Sequence, residues 1–168
     1  MKVKKSQIAM LAAAVFGVVA ILMLLMSGVG YTLKGADEAE KVGTGFELMF
    51  GTQDGMKFNF MMFLPFLLVI VGIVGVVLSF LLKGKIGKFI ALAAFAVAGI
   101  LFFCFSAFMS MSFADQEVLG KVVMTGSDLY KASTELGSYS LGVGAILAGI
   151  FSLIAAAGAA LGTFLFKK

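Results

Sequence analysis

Four apolar runs, each longer than the roughly 18 residues a helix needs to cross a hydrocarbon core, leave this chain few alternatives. They extend from Ile8 to Gly30, Phe60 to Leu82, Phe89 to Ser112 and Leu141 to Phe166. What remains is two loops, 31–59 and 113–140, a turn at 83–88 and two short tails, and none of these is long enough to bury a core of its own. The 168 residues are therefore expected to form a single membrane domain. A content of 61 % hydrophobic and 13 % charged residues belongs to the same class.

The opening MKVKK followed by an apolar stretch resembles a secretory signal. However, Ile8 to Met26 holds no polar side chain and exceeds the roughly 7 to 15 residues of a signal's apolar region. The first helix is expected to remain in the mature protein. Cys104 is the only cysteine and lies in the third run, which excludes both a lipidated Cys after the first run and an intramolecular disulfide.

Charge predicts orientation. Lys2, Lys4, Lys5, Lys83, Lys85, Lys88, Lys167 and Lys168 occupy the tails and the short turn with no acid among them. Lys34, Lys41, Lys57, Lys121 and Lys131 share the two loops with all nine acids. Lysine excess on short segments marks the cytoplasmic side, so both termini are expected inside and both loops outside. The net charge of +4 divides into a basic inner face and an acidic outer one, so membrane lipids are expected partners and nucleic acid is not. The inner lysines could also attract anionic headgroups. Every basic residue is Lys and none is Arg or His, a codon bias that points to a bacterial plasma membrane.

The chain repeats itself in order. Ile8-Ala9 recurs at Ile90-Ala91, Ala36-Asp37 at Ala114-Asp115, TGFEL from Thr44 at TGSDL from Thr125, and SFLLK from Ser79 at TFLFK from Thr163. Two helix-loop-helix repeats, 1–84 and 85–168, are expected, related by a pseudo-two-fold along the membrane normal. The expected fold is an all-α antiparallel bundle of four transmembrane helices. Thr44, Gly45 and Glu47 should then match Thr125, Gly126 and Asp128 at one equivalent bend, with a paired-acid cation site as the sharper alternative.

Helices in lipid associate through small residues. Ala13 and Gly17, Gly75 and Ser79, Ala94 and Ala98, Ala145 and Gly149, and Gly158 and Gly162 each supply such spacing. They are expected to pack the bundle, and the last pair also to touch another chain. The spans lack charge away from their ends, leaving hydroxyls such as those of Ser79, Ser106, Ser152 and Thr163 and the thiol of Cys104 as their polar groups. Proton relays and charged pores usually need more. Without His there is neither an imidazole base nor a His/Cys cluster, so no enzyme, metal or cofactor is expected. Met23, Met26, Met61, Met62, Met109 and Met111 are soft enough for Cu(I), but Met more often fills gaps between helices.

In the first loop, FELMF and MKFNF alternate around Asp54-Gly55, which predicts a small β-hairpin over Phe46, Leu48 and Phe50 against Met56, Phe58 and Phe60. In the second loop, Val118, Leu119, Val122 and Val123 recur at helical spacing, and Thr125-Gly126 reads as a break. Four helices, internal termini and a hairpin-bearing first loop together resemble the topology of the claudin and related tetraspan families. Their loop-one Trp, Gly-Leu-Trp and paired Cys are absent, so no family residue is carried across. The function expected is non-enzymatic, through helix and loop contacts, as a small homo-oligomer or an accessory subunit beside other membrane proteins. The alternative is a passive channel with its pore between subunits.

Overall fold

The computed structural model describes residues 5–82, 85–118 and 121–165. Lys2, Lys4, Lys83, Leu119, Phe166, Lys167 and Lys168, on which parts of the orientation and loop expectations fall, lie outside the described residues. The elements in chain order are α1 (Lys5–Met23), β1 (Ser27–Leu33), β2 (Glu40–Thr44), α2 (Gly45–Phe50), α3 (Phe60–Leu81) and α4 (Ile86–Phe103). A 3₁₀ turn (Phe105–Met111) follows, then β3 (Gln116–Val118), β4 (Lys121–Met124), α5 (Gly126–Leu136), β5 (Gly137–Leu141) and α6 (Val143–Ala160), which ends in a π turn (Leu161–Leu165). Helices α1, α3, α4 and α6 with its π turn are long and apolar enough to cross a membrane, and they make this a multi-pass membrane protein.

The chain is mostly helical, but it is not all-α: β2, β1 and β5 form one antiparallel sheet in that order, and β3 pairs with β4 in another. The chain forms two compact units. One consists of α1, most of α3 and α4, and most of α6; the other of Leu24–Phe63 and Phe103–Ile146.

In the helical unit, small residues admit large ones. Phe95 is fully buried, and a Cβ added at Gly17 or at Gly72 would lie 2.7 Å from its ring. Gly75 and Gly87 bring the α3 and α4 backbones together, a Cβ at Gly87 falling 2.6 Å from the Ser79 nitrogen. Gly158 faces Ala13, and Gly162 faces Met10 and the Ser6 carbonyl. Gly99 faces Leu153 and the Gly149 carbonyl; Ala145, at the start of α6 and in the other unit, is fully buried. Close backbone approach of this kind is how helices gain dispersion contacts where lipid is as apolar as the side chains.

The end of the first apolar run leaves the helix. Helix α1 stops at Met23, and Ser27–Leu33 is the central strand of the sheet, with Gly28, Val29 and Gly30 buried. Hydropathy cannot separate a buried strand from the end of a helix, and the partner that decides the matter, β5, is distant in sequence. Its register runs from Val29 opposite Leu141 to Leu33 opposite Gly137. On the other side β2 pairs from Ser27 opposite Thr44 to Tyr31 opposite Glu40, through a bulge around Val29.

Candidate interaction surface

The first loop does hold a hairpin, but it is β1 and β2. The segment expected as its first strand is helix α2. The decisive residues are Thr44 and Glu47. The Glu47 amide donates to Thr44 Oγ1 at 3.2 Å, and the Thr44 amide donates to Glu47 Oε2 at 2.7 Å. This reciprocal capping box satisfies two backbone donors that a helix start otherwise leaves open. The carboxyl of Glu47 is held below its ordinary value near 4.5, chiefly by the Thr44 backbone and hydroxyl, with Lys41 and Gln53 adding to the effect. Gly51 closes α2 with φ +63°, a conformation in which a side chain is strained.

MKFNF, expected as the second strand, is the entry to α3. Asn59 Oδ1 accepts from the Met61 and Met62 amides at 3.0 and 3.2 Å. Its Nδ2 donates to the Phe108 carbonyl at 2.8 Å and to Ser112 Oγ at 2.7 Å. Being 1 % exposed, Asn59 ties the helix start to the 3₁₀ turn with its amide oxygen and nitrogen both engaged. Asn59 was not foreseen as a cap, although Asn directly before an apolar run is a helix-start signal.

Thr125-Gly126 begins α5; it does not break a helix. The Asp128 amide donates to Thr125 Oγ1 at 3.3 Å, and Thr125 Oγ1 lies 2.6 Å from Asp128 Oδ2. Upstream, the stretch expected to be helical is the β3–β4 hairpin, with Glu117 opposite Val122 and Val118 opposite Lys121. All four residues of β4 are exposed. Val122 keeps 53 % and Val123 67 % of their surface open.

Glu47 and Asp128 are thus each engaged in their own cap. No cluster of three or more His, Cys, Asp or Glu side chains suited to a metal occurs among the described residues. Of the methionines, Met62 and Met109 are fully buried, and Ser112 Oγ lies 3.7 Å from Met62 Sδ; Met26, Met61 and Met111 are exposed. Phe50, Phe58 and Phe63 form an aromatic group with centroids 5.4 to 6.4 Å apart.

All three tyrosines meet in the loop unit. Tyr139 is 4.9 Å from Tyr31 and 5.7 Å from Tyr130 by ring centroids, with Phe113 beside it at 6.4 Å. The Tyr31 hydroxyl donates to the Ser133 carbonyl at 2.5 Å, and the Tyr139 hydroxyl to Ser133 Oγ at 2.9 Å. Burial pushes the Tyr139 phenol above its ordinary value. This group joins β1 and β5 to α5 and was not foreseen, because tyrosines at 31, 130 and 139 share no local pattern.

Compared with known protein families, curated proteins and solved structures, the chain finds no match.

Proposed function

We propose that this protein is a non-enzymatic subunit of a bacterial plasma-membrane assembly, a small oligomer or an accessory subunit, that engages its partner through the β3–β4 hairpin. Both termini are cytoplasmic in this reading and both loops external, in two helix-loop-helix repeats that each begin a loop helix at a Thr-Gly cap. The observation that carries the reading is the hairpin itself. A two-stranded ribbon is marginal in water without a surface to cover it, yet β4 exposes Val122, Val123 and Met124 in succession. Exposed apolar segments of that kind mark interaction sites.

Two further observations support a contact role over a pore. Ser79 Oγ and Thr163 Oγ1 donate to the carbonyls of Val76 and Ala159 at 2.7 Å, so these hydroxyls serve their own helices. The small faces of Gly158 and Gly162 are occupied by α1, which leaves the loop unit as the surface for partners.

A photo-crosslinking side chain placed at Val123 in the native membrane should give one discrete adduct, either with a second copy or with one other protein. Val122→Ser should abolish the adduct while leaving insertion intact. Absence of any adduct from both Val122 and Val123 would remove the hairpin from the reading. Solute or ion flux through liposomes containing the chain alone would favour a channel instead.

A further inference from the structure

The helical unit contains an ammonium group with no Asp or Glu among its described partners. Lys88 Nζ donates to Ser6 Oγ at 2.7 Å and to the Gly162 carbonyl at 2.9 Å, and Ser6 Oγ itself donates to the same carbonyl at 2.7 Å. Both acceptors are neutral, and an ammonium has three donors, so among the described residues one N–H and the full charge remain open. The stretches that make up this unit hold eight lysines and no Asp or Glu. No Asp or Glu side chain of the unit can therefore serve as counter-ion. Lys88 is half-buried, Ser6 and Gly162 are buried, and the ammonium is held in place by its two bonds.

The helix that supplies Ser6, α1, also carries an apolar groove of about 250 Å³ lined by Lys5, Ile8, Ala9 and Ala12. These positions are i, i+3, i+4 and i+7, one face of a helix, and they cover about 10 Å of its length at 1.5 Å per residue. Ala9 and Ala12 are small where Ile8 stands out, 55 % exposed. Lys5 lies at the groove's end, one residue before the Ser6 that holds Lys88. Positive charge at the end of an apolar furrow on a membrane-spanning helix is complementary to one class of molecule, a lipid with an anionic head.

We propose that this site binds one anionic phospholipid, its phosphate on the ammonium groups of Lys88 and Lys5 and an acyl chain along Ile8, Ala9 and Ala12. The site is independent of the β3–β4 hairpin and of any partner there. Lys88 then has two duties: it caps the end of α6 through Gly162, and it presents its remaining donor to the phosphate.

The test is native mass spectrometry of the full chain released from nanodiscs with equal amounts of phosphatidylglycerol and phosphatidylcholine of the same acyl composition. Wild-type protein should retain phosphatidylglycerol over phosphatidylcholine by roughly thirtyfold, the ratio implied by the worth of two lysines near an anionic headgroup at about 1 kcal/mol each. Lys88→Gln, which keeps a donor and loses the charge, should lower the ratio to about fivefold, the share of Lys5 alone, and Lys88→Arg should preserve it. Ala12→Leu, on a part-exposed face, should lower retention of both lipids. An even ratio in wild type, or an unchanged ratio in Lys88→Gln, overturns the headgroup assignment. Unchanged retention in Ala12→Leu overturns the groove, and displacement of the lipid by millimolar inorganic phosphate would assign the lysines to a soluble anion instead.

Discussion

Thr44 and Thr125 open the two copies of one phrase, and both cap a helix, yet Glu47 and Asp128 complete their caps differently. Glu47 reaches back to the Thr44 amide at 2.7 Å, whereas Asp128, one methylene shorter, meets the Thr125 hydroxyl at 2.6 Å. The helix start at Gly126 draws instead on a distant acid, its amide donating to Asp115 Oδ1 at 2.7 Å. Surroundings differ as well. Leu48 and Met49 of α2 are fully buried, while Thr125, Ser127 and Asp128 are exposed. The same local chemistry therefore begins both helices, but only the first is built into a core. A sequence repeat can preserve a capping signal while the energy that stabilises the helix comes from elsewhere.

The largest expected effect is at the glycines of the phrase. A Cβ at Gly126 would lie 2.2 Å from the Phe113 carbonyl oxygen, whereas at Gly45 the nearest atom, 2.9 Å away, is the flexible end of Leu24, with the Leu24 carbonyl at 3.0 Å. Gly126→Ala should cost roughly 3 kcal/mol or more and Gly45→Ala roughly 1 to 3, read from thermal unfolding in detergent. Equal costs would mean that the two bends are interchangeable.

Removal of the caps comes next. Thr44→Ala should destabilise by about 1 to 2 kcal/mol and Thr125→Ala by about 0.5 to 1, the lower end applying to an exposed cap. Amide exchange in α2 and α5 would report each loss locally.

Acid should act on α2 in a way that isolates Glu47. Its carboxyl is lowered in the fold by the Thr44 bonds, so its contribution is present above the ordinary value near 4.5 and is lost as pH falls through the lowered folded value. Amide protection in α2 should weaken over that interval, and Glu47→Gln should remove this part of the pH dependence. The smallest effect, a few tenths of a kcal/mol, is expected from Asp128→Glu, which supplies the missing methylene for a reciprocal capping box. No gain in α5 protection would show that the Asp115 bond to the neighbouring Gly126 amide suffices to fix the helix start.

The phrase itself shows how much was legible. Thr-x-x-Glu is a capping signature, and both copies stood in the sequence, as did Asn59 ahead of α3. Alternation of Phe46, Leu48 and Phe50 suggested a strand because a short helix with a buried face and an exposed aromatic edge gives the same spacing over so few residues. Of the small residues singled out, Ala13 meets Gly158 inside the chain, as shape alone would suggest, and Gly75 meets Gly87, a glycine the spacing did not mark. The Lys88, Ser6 and Gly162 contact could not be foreseen, since it joins three helices whose rotation about their axes hydropathy leaves open.

By itself the sequence determined the four spanning helices, because long apolar runs with no charge have one stable form in a hydrocarbon solvent, and each residue contributes to that outcome locally. The second of them was placed almost to the residue, 60–82 against Phe60–Leu81. Tertiary structure alone decided that Ser27–Gly30 leaves the first run to become a strand, and that β5 from the second loop lies against β1 from the first. Backbone donors and acceptors on the edge of β1 that faces β5 are satisfied only by a partner more than a hundred residues away, and no local pattern records such a partner.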